Sequence, residues 1–439
     1  MIETRNALGV AQLFLCSAAI VGVAGCGGGG GGAVLATVTP AAGTDPVSIA
    51  GAAAVSISNG IASASASLSV PAPAPALTAA TAPASTSPVS SAASAPILAG
   101  CEMFPVNAIF NTRIDDVSRF PAHSKSAQWI DTVGRAVPFS TDWGVNDNPA
   151  DPSTYYGMPI NVVDGTAATT EWPLVSFDFA TSGLSMQRGW PDKSDCAAPS
   201  GSGFEIVHGC GPLPPSQRHF PFPFPSKVLA QGGNCNDPNA CGDHPVLVVE
   251  QGACRLWESY FSFNLSGQWY SLATAAWDLK SLSLRPNDWA AASASGLPIT
   301  PLLAKAAEAN AGEIRHALRV NFRDAALALD VAWPARFAAG GDNPGAIPFG
   351  ALLRLKSDFV IPADWTTQAK ALATAAKRYG LYVSDNGADF HVQGEPNAAW
   401  DLRTNAQMKS ITMDDMEFVD LKAITGDPRF SRDSMAASW

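Results

Sequence analysis

The sequence predicts a mainly β protein, an antiparallel β-sandwich-like domain with two or three peripheral helices that follows a disordered linker. Three observations predict this fold class. Short runs of β-branched and aromatic residues alternate with clusters of Pro, Gly, Asn and Asp over residues 101–439. Helical patterns are few, so strands do not alternate with helices as they do in parallel α/β folds. No glycine-rich loop follows a strand and opens a helix, which argues against the common nucleotide-binding folds.

The first 25 residues predict a secretory signal that is removed from the mature protein. A single Arg5 precedes an apolar run over residues 7–24, and small residues lead into Cys26. The tetrapeptide Val-Ala-Gly-Cys that ends at Cys26 resembles the bacterial lipobox, in which the cysteine is lipidated and becomes the new N-terminus. A plain signal peptide and an N-terminal membrane anchor are the alternatives. Gly27 after the cysteine implies, by the same resemblance, the outer membrane, and acyl chains at Cys26 suffice for stable anchoring.

Residues 26–100 are predicted to be a lipidated cysteine followed by a low-complexity Gly/Ala/Ser/Pro linker. Residues 33–99 contain no Trp, Tyr, Phe, Lys or Arg, and Asp45 is their only charged residue. A flexible chain of this length has a root-mean-square reach of roughly 45 Å. The linker is therefore interpreted as a passive tether.

Residues 101–439 are predicted to form a single globular β-rich domain, since this length is ample for a sizeable core. The whole chain has a net charge of −11 and no basic stripe, so nucleic acid is not an expected partner. No cofactor is predicted. No metal site is predicted either, because the chain has neither a CxxC nor an HExxH motif.

Six cysteines remain after the signal and the lipidation site, and an even number in an exported chain predicts three disulfides. Sequence alone leaves fifteen connectivities open. The short loop from Cys235 to Cys241 gives the most favoured pair. A pair between Cys196 and Cys210 comes next, which would leave Cys101 for Cys254.

Four stretches carry the clearest local predictions. Residues 245–250 and 255–263 read as a hairpin, and residues 313–320 read as a strand. Residues 364–379 predict a helix capped by Asp364 or Thr366 and ended by Gly380. Residues 381–384 and 390–393 flank Asp-Asn-Gly, which predicts a second hairpin. The last ten or so residues are expected to be frayed.

The candidate functional residues cluster in the stretch 277–319, with one addition from the first hairpin. Glycan hydrolysis needs two carboxylates, one of them with a raised pKa, whereas elimination on uronate polymers needs a base beside an arginine. The candidate catalytic residues are Glu258, Asp278 and His316. The candidate substrate-binding residues are Arg285, Trp289 and Arg315.

Each of these residues also has a structural interpretation. Glu258 can form a cross-strand salt bridge, and Asp278 can cap a loop or an Asx-turn. His316 lies on the apolar face of its predicted strand, where a lone histidine is more often a core residue than a catalyst. Arg315 and Arg319 lie on the other face, which is most simply a solvated stripe.

The globular part resembles a group of uncharacterised secreted bacterial and fungal proteins. The resemblance rests on motifs that occur in the same order: Tyr156-Gly157-Met158-Pro159, Ser194-Asp195, Gly242-Asp243 before Val246-Leu247-Val248-Val249, Cys254 with Leu256 and Glu258, Trp277-Asp278-Leu279, Leu284-Arg285-Pro286 with Trp289, Gly296-Leu297-Pro298-Ile299, Ile314 with His316-Ala317-Leu318-Arg319, Trp333-Pro334-Ala335-Arg336, Arg378-Tyr379-Gly380 and Asp385-Asn386-Gly387. The resemblance implies one continuous domain and carries no known activity.

Together these observations predict a surface-tethered exported lipoprotein that acts on carbohydrate, as a glycoside hydrolase or a polysaccharide lyase. Its expected partners are the membrane, through the lipid at Cys26, and a polysaccharide. The alternative is a non-catalytic envelope module that binds glycan or protein. A purely structural envelope protein is a third interpretation.

Overall fold

The computed structural model describes residues 94–151, 155–185, 188–222 and 229–439. The predicted signal, Cys26 and most of the predicted linker lie outside the described residues. The strands are β1 Ile97–Leu98, β2 Cys101–Glu102, β3 Ser140–Asp142, β4 Ile160–Asp164, β5 Val175–Ser176, β6 Asp195–Ser200, β7 Gly203–His208, β8 Val246–Gln251, β9 Arg255–Tyr260, β10 Phe263–Leu265, β11 Gln268–Tyr270, β12 Ala273–Asp278, β13 Leu318–Phe322, β14 Leu327–Val331, β15 Ile347–Phe349, β16 Leu352–Leu355, β17 Leu381–Asn386, β18 His391–Gln393 and β19 Met416–Phe418. The helices are α1 Ser126–Val133, α2 Ala306–Asn310, α3 Thr367–Arg378, α4 Leu402–Met408 and α5 Lys422–Thr425. Strands dominate, so the mainly β prediction is confirmed.

A four-stranded sheet has the order β12-β9-β8-β4. Its centre is the predicted hairpin: β8 pairs antiparallel with β9, and β9 with β12, while β4 joins β8 in parallel. The run Val-Leu-Val-Val in β8 is fully buried. A strand reads as a continuous apolar run when both faces of its sheet are covered, and this is the case here.

A six-stranded sheet has the order β19-β16-β17-β13-β18-β3. It is mixed, because β13 pairs parallel with β17 and antiparallel with β18. Side chains from both sheets, including Leu256 and Trp277 from one and Val320 and Leu353 from the other, belong to one continuous hydrophobic core. Two sheets that share a core in this way give the sandwich-like architecture.

The opposite face of the four-stranded sheet has a second core. Val248 of β8 and Trp257 of β9 pack there with the Cys196 and Cys210 side chains. The antiparallel β6–β7 hairpin is fixed on this side by contacts between β6 and β12. The sheet therefore lies between two apolar clusters.

Helix α3 confirms the best helix prediction. The Thr366 hydroxyl accepts a hydrogen bond from the Ala369 N–H at 3.1 Å, so Thr366, rather than Asp364, is the N-cap. Gly380 follows with φ +77°, where a Cβ would meet the Leu353 carbonyl oxygen at 2.7 Å. Helices α4 and α5 come from the polar C-terminal segment, in which the sequence predicted none, and bring the number of described helices to five.

Three local predictions are wrong. Strands β17 and β18 do not form a hairpin, because β13 lies between them and pairs with both. The predicted strand 313–320 begins only at Leu318, where pairing with β17 starts. The last ten residues are not frayed: Met435 and Ala437 are fully buried, and the N–H of Met435 donates to the Leu282 carbonyl at 2.7 Å.

The three predicted disulfides are all formed: Cys101–Cys254, Cys196–Cys210 and Cys235–Cys241. Disulfides of this number are consistent with an exported protein. Within the described part of the chain, none of the helices has the length and apolar character needed to cross a membrane.

Candidate active site

Arg319 of β13 is a fully buried arginine at the centre of a polar cluster between the two sheets. Its Nη2 donates to Asp385 Oδ2 at 2.8 Å, and its Nε donates to the Ser384 hydroxyl at 3.0 Å. Burial lowers the pKa of Arg319, and the negative charges of Asp385, Glu258 and Asp142 oppose that shift. We call Arg319, Ser384, Glu258, Asp142, Asp243 and Asp385 the Arg319 cluster. The sequence-based interpretation of Arg319 as a solvated residue is wrong, because its strand is covered on both faces.

A β-bulge explains how two consecutive residues reach one guanidinium. Val320 pairs with Val383, but the next residue, Asn321, pairs with Asp385, which leaves Ser384 as the extra residue. In a regular strand the side chains of Ser384 and Asp385 would point to opposite faces. The bulge lets both contact Arg319, and bulges are frequent beside active sites because they re-aim side chains.

Glu258 of β9 lies in the cluster but is fully sequestered. Its carboxylate accepts hydrogen bonds from the N–H groups of Ile299 and Thr300 and from the Thr300 hydroxyl, at 2.8–2.9 Å. Burial raises the pKa of Glu258, and these hydrogen bonds oppose the shift. The carboxylate thereby fixes the backbone of the Ile299–Thr300 segment.

Asp142 and Asp243 bring two further carboxylates from separate elements. Asp142 ends β3 and is half-buried. Burial raises its pKa, whereas the charges of His391 and Arg319 and a hydrogen bond from Gln393 lower it. Asp243 precedes β8 and is exposed as a residue. Neighbouring protein atoms nevertheless partly remove its carboxyl group from water, which raises its pKa, and the hydrogen bond from the Tyr260 hydroxyl opposes this shift.

The Arg319 cluster contains four carboxyl groups and one arginine. Like charges in a poorly hydrated space disfavour a second and third ionisation and raise the pKa of whichever group is least compensated. All four carboxyl groups have raised pKa values, and in each the largest cause is removal from bulk water. Acids arranged in this way are typical of sites that store and deliver a proton.

Asp385 combines a raised pKa with access to solvent. Its pKa is raised to about 6 by removal from bulk water; the Asp243 charge adds to this rise, while Arg319 and the Ala294 N–H oppose it. Its side chain nevertheless remains 19% exposed. The carboxyl group of Asp385 is therefore poorly hydrated but still in contact with solvent. At near-neutral pH such a group is a competent proton donor.

The structure does not bring the three predicted catalytic residues into contact. Ala275 faces Glu258 across the β9–β12 ladder, so Asp278, three residues further along β12, points to the opposite face of the sheet. Asp278 is exposed, and its Oδ1 accepts a hydrogen bond from the Lys280 N–H at 2.9 Å. This is the hydrogen bond of an Asx-turn, as the structural interpretation of Asp278 predicts. Within the described residues, no hydrogen bond or ion pair joins any two of Glu258, Asp278 and His316.

His316 belongs to a separate buried network. Its Nε2 lies 2.8 Å from Glu308 Oε2 and 3.2 Å from Lys305 Nζ, and its Nδ1 lies 2.8 Å from the Ala317 carbonyl. Burial alone would raise the pKa of Glu308, but Lys305 and His316 outweigh it and lower that pKa to about 2. These contacts fit the core-histidine interpretation.

The three predicted substrate-binding residues lie in two places. The Arg285 guanidinium is 1% exposed; its Nε donates to Asp195 Oδ2 at 2.6 Å, and its Nη1 donates to the Ala290 carbonyl at 2.6 Å. Trp289 is half-buried beside it, with the guanidinium 5.7 Å from its ring centroid. Arg315 lies at the surface and donates to the Ser94 hydroxyl at 2.8 Å.

The sequence offered a signal for the residues that were missed. Asp243 and Asp385 both stand in motifs of the resemblance, Gly242-Asp243 and Asp385-Asn386-Gly387. Asp-Asn-Gly normally indicates a turn, so Asp385 was not among the predicted catalytic residues. Arg319 was interpreted as a solvated residue, because its burial depends on strands that are far from it in sequence.

The site shows no arrangement of metal ligands. Among the described residues, no group of three or more His, Cys, Asp and Glu side chains could hold a metal ion. Two surface grooves, of about 370 and 420 Å³, lie beside Lys377 and along β4, and neither is lined by a member of the Arg319 cluster.

Comparison with known proteins adds no relative. No protein-family model matches the chain, and neither does any curated protein or solved structure. The resemblance to secreted bacterial and fungal proteins stays a prediction.

Proposed function

We propose that the protein is a glycoside hydrolase in which Asp385 is the general acid. One observation carries the proposal: Asp385 is solvent-accessible and has a pKa of about 6, raised mainly by removal from bulk water and further by the charge of a second carboxylate, Asp243. Two carboxyl groups in different environments are the recurrent apparatus of glycosidic bond hydrolysis.

The two carboxyl groups take different roles. Protonated Asp385 donates its proton to the oxygen of the leaving sugar. Ionised Asp243 acts at the anomeric centre, either directly or through the attacking water. Removal from bulk water raises the pKa of both groups. The hydrogen bond from Tyr260 opposes this rise at Asp243, whereas at Asp385 the charge of Asp243 adds to the rise and Arg319 opposes it.

The charge of the cluster favours a neutral glycan and hydrolysis over elimination. Arg319 is the only cation within the cluster, and its donors are already directed at Asp385, Ser384 and the Met158 sulfur. A uronate carboxylate would add a further negative charge beside Asp142, Asp243 and Asp385. Elimination on a uronate polymer needs an available arginine instead.

The direct test is incubation of the purified protein with neutral and anionic polysaccharides, followed by measurement of new reducing ends. We expect release from a neutral glycan. Asp385→Asn and Asp243→Asn should each reduce the rate about 10²- to 10⁴-fold, since each removes a proton-transfer or nucleophilic group. Asp433→Asn is the matched control: Asp433 also pairs with a buried arginine, Arg336, but is 81% exposed.

Two outcomes would overturn the proposal. One is binding of glycan without turnover, unaffected by both variants, which is the behaviour of the non-catalytic module. The other is formation of unsaturated uronates, which would indicate a lyase.

We also propose that the domain is tethered to the outer membrane by a lipid on Cys26. Support comes from the Val-Ala-Gly-Cys sequence, the following Gly27 and the long low-complexity linker. Cys26→Ser should release the protein from the membrane fraction and abolish labelling by a palmitate analogue. Retention of the variant in the membrane fraction would contradict lipid anchoring.

A further inference from the structure

His208 and Asp195 form a second hydrogen-bonded pair, on the face of the four-stranded sheet opposite Glu258. They stand directly opposite each other in the β6–β7 hairpin, and His208 Nδ1 lies 2.8 Å from Asp195 Oδ1. The aspartate side chain is fully buried, whereas the histidine side chain is 53% exposed. The pair thus joins a fixed carboxylate to an imidazole that faces solvent.

The buried carboxylate fixes the orientation of the ring. Asp195 Oδ2 accepts hydrogen bonds from the Ala276 N–H at 2.8 Å and from Arg285 Nε at 2.6 Å. Its other oxygen faces the Nδ1 of His208, which assigns the proton of the neutral ring to Nδ1 and leaves Nε2 as an acceptor. Nε2 forms no hydrogen bond with any of the described residues, so it is available to a ligand.

Trp289 lies beside this imidazole on a braced segment. The two ring centroids are 6.3 Å apart, with the planes at 76°. Arg285 holds one side of the indole, and the Lys193–Asp288 ion pair at 2.6 Å ties the same loop to the start of β6. The Cys196–Cys210 disulfide braces the hairpin itself. Binding here would therefore require little ordering of the protein.

Two ion pairs border the two rings. Arg285 compensates Asp195, and Lys193 compensates Asp288. Neither an anion nor a cation gains a net attraction from these four groups. What remains is a partly exposed aromatic ring and a directional nitrogen acceptor, which suits a neutral ligand with an apolar face and hydroxyl groups.

We propose that His208 and Trp289 form a binding site for a neutral pyranose ring. The C–H face of the sugar packs on Trp289, and a sugar hydroxyl donates to Nε2 of His208. This site shares no residue with the Arg319 cluster. The proposal takes its ligand class from the same chemistry as the proposed function, but it does not require Asp385 to be catalytic.

The test measures binding by calorimetry, with cellopentaose and chitopentaose as neutral probes and a galacturonate pentamer as the anionic probe. The purified full-length protein carries Asp385→Asn to prevent turnover. We expect at least one neutral probe to bind. Trp289→Ala should weaken that binding at least tenfold, and His208→Gln several-fold, because glutamine can still donate to Asp195 but does not present the same acceptor.

Two control variants match these changes. Trp439→Ala removes an exposed tryptophan that also contacts an arginine, Arg429. His123→Gln removes a histidine that stacks on Trp129 and, among the described residues, forms no hydrogen bond with an aspartate. Neither should change binding. His208 lies at the surface, so His208→Gln keeps the proposal testable if Trp289→Ala fails to fold.

Three outcomes would overturn the site: neither neutral probe binds, the galacturonate pentamer alone binds, or binding survives both the Trp289 and the His208 change. The proposed function fails separately. The hydrolase proposal is contradicted if polysaccharide turnover is insensitive to Asp385→Asn, whatever the binding assay shows.

Discussion

Arg319 holds a position that no neutral side chain can fill. It is a fully buried cation that compensates Asp385 and the more distant Glu258. Arg319→Met should therefore reduce the free energy of unfolding by about 3–5 kcal/mol at pH 7, the usual effect of leaving a buried partner charge uncompensated. Urea unfolding measures this loss. A loss below about 1 kcal/mol would show that the carboxylates do not depend on Arg319.

The Glu308 carboxylate should make the fold sensitive to acid. Its pKa is lowered from 4.5 to about 2, so the folded state binds fewer protons than the unfolded state between these values. The stabilisation is present above pH 4.5 and disappears as the pH falls towards 2. A shift of this size corresponds to roughly 3 kcal/mol.

Glu308→Gln is therefore expected to destabilise the protein by up to about 3 kcal/mol at pH 7, and by much less at pH 2.5. Urea titrations at the two pH values measure the difference. The surface acid Asp427 is the control, because Asp427→Asn changes an exposed pair with Arg429 and should have little effect. A destabilisation by Glu308→Gln that is equal at both pH values would contradict the electrostatic origin.

At the scale of elements, the N-cap of α3 is a sharp local test. The sequence offered Asp364 and Thr366 as caps, and the structure uses the Thr366 hydroxyl. Thr366→Ala should cost about 1 kcal/mol in thermal or urea unfolding, because the Ala369 N–H loses its partner. Thr366→Ser should retain most of the stability and Asp364→Ala all of it. A larger effect at Asp364 would reverse the assignment of the cap.

Local patterns predicted those elements whose partners are near in sequence. The β8–β9 hairpin and α3 follow from alternation, turn residues and capping. Cys196–Cys210 and Cys235–Cys241 follow from their short loops, whereas Cys101–Cys254 was only the pair that these two left over. The Asp385-Asn386-Gly387 segment shows the limit. Its local sequence favours a turn. However, β13, which lies about sixty residues earlier, pairs with β17, and Asp385 therefore lies in a strand beside a β-bulge.

The candidate site was only partly predictable for the same reason. Glu258 was correctly placed on β9, but its burial depends on the Ile299–Thr300 backbone and on Arg319. No periodicity in the 313–320 segment distinguishes a solvated arginine from one enclosed by a second sheet. The Arg319 cluster is assembled from stretches of chain that are far apart in sequence, and local rules treat them independently.

At the scale of the whole molecule, the disulfides differ in how much chain they constrain. Cys101–Cys254 closes a separation of 153 residues, whereas Cys235–Cys241 closes only 6. The chain-entropy estimate gives about 5 kcal/mol for the first and about 2 kcal/mol for the second. Paired Cys→Ala variants should follow this order in urea unfolding. The opposite order would show that packing around the sulfurs, rather than loop closure, determines the effect.

At the scale of the whole molecule, the two sheets and their loops bring the acids of the Arg319 cluster together, and we propose that Asp385 donates a proton there. The most direct measurement is the pH dependence of kcat/KM for glycan cleavage. We expect the rate to fall about tenfold per pH unit above about pH 6, where Asp385 loses its proton. In Asp385→Asn, a dinitrophenyl glycoside, whose leaving group needs no proton, should still be cleaved, and this basic limb should be absent. A basic limb that persists unchanged in Asp385→Asn would show that Asp385 is not the general acid.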